Sequence, residues 1–254
     1  MARHSFHLSI GDIVGKSVGI YFRNLLPFVA ISLLVLSPWI ALTLYLDQAR
    51  EDLVAAQHAE SGRAFRILGV SFASMLLMTL LSYMMTGAIT YGVVQQLRGE
   101  PAGMANALTQ GLKSFGRVLG TSLLVGLRVI LFMLLLYIPG LIELVKLYVA
   151  LPAAVMEGKS AGAAVQRSIQ LTDGSRWTIF ASWILLTVIV AGLGALLGVA
   201  THMVDRDMLG SPWFQIGVQV VMTPFGATMA AVTYFLLRTG KENVDVKELA
   251  AVFD

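Results

Sequence analysis

The chain has 254 residues, 57% of them hydrophobic and only 13% charged, with a formal net charge of +3. Soluble domains carry roughly a quarter charged residues, so this chain has too little polar surface to fold as a domain in water. The absence of cysteine excludes disulfide and thiolate chemistry. Basic residues are spread rather than clustered with aromatics, which gives nucleic-acid binding no support.

The first amphipathic stretch precedes Leu25. Ile10, Ile13, Val14, Val18, Tyr21 and Phe22 fall at helical spacing on one face, with Asp12, Lys16 and Arg23 off that stripe. Ser9 followed by Asp12 resembles a capping box, and Gly11, Gly15 and Gly19 form a smooth strip along the same helix. An apolar run, Leu25–Leu46, follows. No small-x-small cleavage site ends it, so it is expected to be a retained span rather than a signal peptide. A second run, Ile67–Leu97, exceeds what a bilayer requires.

After Pro101 the amphipathic pattern returns with Met104, Leu108, Leu112, Phe115 and Leu119, leaving Lys113 and Arg117 outside it. Runs three and four are Val118–Ile138 and Leu141–Met156, separated by Tyr137-Ile138-Pro139-Gly140. That sequence is a turn signal, or alternatively the break of a single helix. Ser160 can cap a shorter helix with Ala161, Ala164, Val165 and Ile169 inward. Runs five and six are Trp177–Ala200 and Trp213–Leu237. Pro38 and Pro224 lie inside spans, where proline removes a backbone hydrogen bond. Gly194 and Gly198 have the spacing that lets two membrane helices approach.

The expected architecture is all-α, a polytopic bundle of six membrane helices. Three hairpin repeats, about 9–97, 101–156 and 158–238, are each preceded by an interfacial amphipathic helix. A tail covers 239–254. Arg23, Arg117 and Arg176 stand at the heads of the three hairpins. Units that start and finish on one side are parallel repeats about an axis along the membrane normal. Twelve Lys and Arg residues flank the spans on the side of both termini and four on the other, which places the termini in the cytoplasm of a bacterial inner membrane.

The stretch 138–180 contains Lys146, then Pro152, then Glu157-Gly158, leading into Ala164-x-x-Arg167-Ser168-x-x-Leu171-Thr172-x-Gly174. This pattern resembles the membrane domain found with glycerophosphoryl diester phosphodiesterases and its stand-alone six-span relatives. The resemblance implies an integral-membrane fold of six helices. Only a short tail follows Leu237, with no catalytic barrel, so phosphodiesterase activity is not carried over. Arg167 and Ser168 are candidates for contact with lipid phosphate oxygens. The alternative is that Arg167 pairs with Glu157 or Asp173 and pins the loop. Arg23, Arg117 and Arg176 are the other headgroup candidates; the bland reading is that they only obey the charge rule for orientation.

Arg128, Glu143 and Lys146 form a candidate intramembrane polar cluster. The i,i+3 spacing puts Glu143 and Lys146 on one helix face. With a tight turn at Pro139-Gly140, Arg128 is expected to have no acidic residue at its own level; it can line a cavity, snorkel or reach Glu143. His4, His7, His58 and His202, the last with Asp205 and Asp207, lack convergent spacing, so neither a metal nor a cofactor is expected. No GxSxG, HExxH, P-loop or dinucleotide fingerprint occurs, and no catalytic residue is assigned.

These readings favour a non-catalytic membrane module, a scaffold or accessory subunit. It would engage membrane lipids, with another membrane protein or a second copy as a further partner. The rival is a transporter or channel for a small or amphipathic solute that uses the polar cluster.

Overall fold

Uninterrupted apolar runs fold as long helices, because a helix satisfies its own backbone groups where water is absent. The computed structural model describes residues 8–55, 62–100, 103–204 and 211–242. Among these the protein is helical, with no strand. The helices are α1 (Ile10–Arg23), α2 (Leu25–Ala55), α3 (Gly62–Leu97), α4 (Met104–Leu135) and α5 (Tyr137–Lys146), followed by α6 (Ala150–Met156), α7 (Ala161–Thr172), α8 (Arg176–Val204) and α9 (Pro212–Glu242).

Among the described residues five stretches are long and apolar enough to cross a membrane: Leu25–Asp47, Gly69–Leu97, Met104–Leu135, Tyr137–Met156 and Pro212–Glu242. Within α8 the apolar stretch Arg176–Ile189 is shorter. Their outer faces carry large exposed side chains such as Leu26, Leu34, Phe72, Leu123, Ile130 and Val188. Such a surface suits lipid and not water. Pro38 and Pro224 sit within continuous α2 and α9. His4, His7, His58, Arg206, Asp205 and Asp207 lie outside the described residues, and so do the surroundings of His202, Gly194 and Gly198.

Two expectations about the amphipathic segments need correction. The second is not a separate interfacial helix: α4 runs unbroken from Met104 through Arg117 to Leu135. No residue near Arg117 stops it, whereas Asn24 interrupts the chain after α1 and Gly174, at φ 71°, interrupts it after α7. The first segment turns its stripe toward protein. Ile13, Ser17 and Tyr21 are buried, while Phe22 is 66% exposed. The Tyr21 hydroxyl donates to the Val221 carbonyl at 2.7 Å, and its ring meets Phe225 edge-on. Thus α1 docks on α9. Gly15 and Gly19 face open space, so the glycine strip is not a packing surface. Ser9 and Ser160 occupy the N-cap positions of α1 and α7, but neither side chain makes a capping bond. Only their carbonyls are engaged, by Ile13 and Ala164.

The three segments share one packing relation. α1 lies against α9, the first half of α4 against α3, and α7 against α4 and α6. The α3–α4 crossing is made by small residues: a Cβ on Gly111 would lie 2.9 Å from the Met84 carbonyl oxygen and 3.0 Å from the Ala88 nitrogen. Backbone atoms cannot yield as a flexible side chain can, and close backbone approach is how membrane helices associate. Gly111→Ala is therefore expected to destabilise the protein by about 1–3 kcal/mol. Gly116→Ala, with no neighbour within 4 Å, is the control and should leave the melting temperature in detergent unchanged. Equal melting of both variants would show that the crossing is loose.

Candidate functional site

The helix α5 stops at Lys146, and Leu147-Tyr148-Val149 make a turn before α6. Ala150 N–H bonds back to Leu147 instead of to Lys146. The orphaned Lys146 carbonyl accepts from the Ser168 hydroxyl at 2.8 Å and the Thr172 hydroxyl at 3.2 Å, both on α7. Two motif residues thus repair the break in another helix. A buried backbone oxygen left unpaired costs on the order of 1–3 kcal/mol, which is the physical reason for hydroxyls at these positions. Ser168 is wholly buried, which corrects its expected place in the headgroup layer.

Glu157 follows α6 and collects the ends of several elements. Arg167 Nε donates to both its oxygens at 2.9 and 3.0 Å, the Tyr234 hydroxyl donates at 2.9 Å, and Lys159 lies 3.4 Å away. Arg167 also pairs with Glu242 at 2.5 Å, and Arg238 joins Tyr234 at 2.9 Å and Glu242 at 3.5 Å. Burial acts to raise the Glu157 pKa, but hydrogen bonds from Arg167 and Tyr234 and the nearby Arg238 charge hold it below the ordinary value. Burial likewise acts to lower the Arg167 pKa; its hydrogen bonds to Glu157 and Glu242 win and raise it. Arg167 is therefore a tie between α7, the α6 end and α9. Of the two readings left open by the sequence, the geometry takes the pairing with Glu157.

The hairpin-head arginines differ from one another. Arg117 donates to the Gly158 carbonyl at 3.4 Å, and Arg176 pairs with Asp173 at 3.1 Å. Arg23 is exposed and makes no ion pair among the described residues. The Lys241 ammonium reaches the Asp173 and Gln170 carbonyls, so a cation stands at the C-terminus of α7, where the helix dipole favours it. Asn24 donates to Gln96 at 2.5 Å and ties the start of α2 to the end of α3.

Deeper in the apolar layer, Arg128, Glu143 and Lys146 come together. Arg128 approaches Glu143 at 2.5 Å and Lys146 approaches it at 3.3 Å. Of the readings left open for Arg128 the structure has the one in which it reaches Glu143, because the turn is not at Pro139-Gly140. The hairpin turns at Leu136, so Arg128, eight residues before it, and Glu143, seven after, stand at one depth. Glu143 is 1% exposed, whereas the Arg128 and Lys146 side chains are 35% and 29% exposed. The carboxylate is the buried hub and the two cations form its rim.

Tyr234, Arg238 and Glu242 complete the Glu157 network but were not singled out in the sequence. One overlooked signal is a basic residue followed by serine: Lys16-Ser17, Lys113-Ser114 and Arg167-Ser168. All three serines are buried, each in a segment that packs on another hairpin. Among the described residues no group of His, Asp and Glu is arranged to hold a metal ion.

Long lipid-suited helices, inward-facing charge pairs and hydroxyls bonded to helix carbonyls together define a polytopic helical membrane protein. Residues 115–206 match the family described as the membrane domain of glycerophosphoryl diester phosphodiesterase, the family that the motif around Arg167 resembles. The matched segment runs from the middle of α4 to just past α8; it contains Arg128, Glu143 and Lys146 as well as Glu157 and Arg167, while Tyr234, Arg238 and Glu242 of the second network lie beyond it. No curated protein and no solved structure matches the chain.

Proposed function

We propose that this protein is a non-catalytic module of the bacterial inner membrane, with six spans and both termini in the cytoplasm. It engages anionic lipid at the cytoplasmic leaflet and serves as a scaffold or accessory subunit for another membrane protein or a second copy. The observation that carries the reading is the set of basic residues at the heads of the hairpins: Arg117, bonded to Gly158, and Arg176, paired with Asp173, are half-buried and keep some exposed surface, and Arg23 is exposed. Such cations near an anionic surface contribute about 1 kcal/mol each. Arg167, by contrast, is occupied by carboxylates. The three-unit plan is supported by the recurring basic-serine pairs and by each segment's docking on another hairpin, the first on the last.

The test is lipid retention by the purified protein, read by native mass spectrometry. Changing Arg23, Arg117 and Arg176 together to glutamine should reduce the preference for anionic over zwitterionic lipid at least about tenfold, given the energy per charge. Unchanged retention in that variant, with no partner recovered from membranes, would remove the basis for this function. A second reading, a transporter for a small or amphipathic solute, draws on the partly exposed Arg128 and Lys146. Solute flux in proteoliposomes that is lost in Arg128→Ala and Lys146→Ala would favour it.

A further inference from the structure

The hairpin of α4 and α5 differs from the other two at its tip. From Val129 to Ile142 no residue is charged, and none is Ser, Thr, Asn, Gln or His. The end of α2, the start of α3 and the residues between them carry Asp47, Arg50, Glu51, Asp52, Glu60, Arg63 and Arg66, and the sequence between α8 and α9 carries Asp205, Arg206 and Asp207. Leu134, Leu135, Leu136, Tyr137 and Ile138 are all 67–79% exposed, so no described part of the protein covers the tip. Five consecutive apolar residues at a bend would be badly placed in water.

Length points the same way. From Arg117, level with Gly158, to Leu136 there are nineteen residue steps, about 28 Å at the helical rise. A hydrocarbon core is about 30 Å thick. The returning arm, Tyr137–Met156, has 20 residues and is interrupted at Leu147–Val149, whereas the spans in α3 and α9 have 29 and 31. The break in the tip backbone is a single residue, Leu136, lying between α4 and α5. Leu136 N–H donates to Phe132 at 3.0 Å, and its carbonyl accepts from Gly140 at 3.3 Å. Pro139 has no N–H, so the start of α5 has one donor fewer to leave open.

We propose that this hairpin does not emerge from the membrane: its tip, Leu134–Ile138, ends among the acyl chains of the far leaflet. The Arg128–Glu143–Lys146 cluster is then closed off from that side, and water or solute reaches it only from the side of Arg117 and Gly158. The inference stands on the hairpin itself and is independent of the lipid-binding function.

The natural absence of cysteine makes the test direct. Leu136→Cys and Ile138→Cys are compared with Asp47→Cys in vesicles opened so that a polar maleimide reaches both aqueous faces. The tip thiols should react at least about tenfold more slowly than the Asp47→Cys thiol, because an apolar surrounding suppresses the reactive thiolate. All should react alike after denaturation in detergent. A nitroxide on each tip cysteine should be relaxed strongly by oxygen and weakly by a water-soluble nickel complex. Labelling of both tip variants at the rate of Asp47→Cys would overturn the proposal. So would poor access of both relaxation agents, which would mean that protein covers the tip.

Discussion

Glu157→Gln is expected to cost about 3 kcal/mol of stability, since removing one partner of a buried ion pair leaves the other charge uncompensated. Glu157 is the meeting point of three elements: it holds Arg167 of α7 at 2.9 Å and Tyr234 of α9 at 2.9 Å, and it stands at the end of α6. Glutamine keeps the size but loses the charge and presents an amide to a guanidinium. Tyr234→Phe removes one hydrogen bond and should cost about 1 kcal/mol. The pH dependence follows from the direction of the shift. The folded Glu157 pKa is below its ordinary value, so its contribution is present above that ordinary value and is lost as pH falls through the depressed one. Between about pH 8 and pH 5 the wild-type protein should therefore keep this contribution, while the variant lacks it throughout. Thermal melts in detergent measure both statements. Identical melts for Glu157→Gln and wild type would show that the network contributes only geometry.

Glu143→Gln should be at least as damaging. It leaves Arg128 and Lys146 without their shared carboxylate in the apolar layer. An unpaired arginine at the centre of a membrane helix costs about 2.5–3.5 kcal/mol on insertion scales. The variant should accumulate poorly in membranes and melt well below wild type. Adding Arg128→Met to Glu143→Gln should recover much of the loss, because neighbouring charges in one network are strongly non-additive. If the double variant is no better than Glu143→Gln alone, Arg128 is not the charge that Glu143 neutralises.

The relation between sequence and structure differs from element to element. Helix positions were legible because they depend on local composition: runs of the length of Leu25–Leu46 or Trp213–Leu237 have few folded alternatives in lipid. Gly174 was legible as a helix stop, and its φ of 71° shows why a residue without Cβ is placed there. That the chain breaks after α1 at Asn24, as expected, but runs on through Arg117 was not legible. The same amphipathic spacing precedes both sites, and only the asparagine side chain, bonded to Ile20 and Gln96, marks the difference.

The candidate sites divide along the same line. Arg128, Glu143 and Lys146 stood out because charge is rare in an apolar run. Their mutual arrangement depended on where the hairpin turned, and a shift from Pro139-Gly140 to Leu136 was enough to bring Arg128 opposite Glu143. Arg167 could face a lipid phosphate or a carboxylate with equal local logic. Its environment was settled by Glu157 at the end of α6 together with Glu242, 75 residues away in the chain. Ser168 looked like a polar surface residue and is instead a buried donor to a carbonyl exposed by a break in another helix.

The sequence by itself determined the solvent of this protein, its helical class and its rare charges, because hydropathy and charge are properties of residues and short windows. Tertiary structure decided which face of α1 meets protein, which carboxylate each arginine meets, and which helix ends need repair. Those outcomes depend on pairs of atoms far apart in the chain, brought within 3 Å only when the bundle closes.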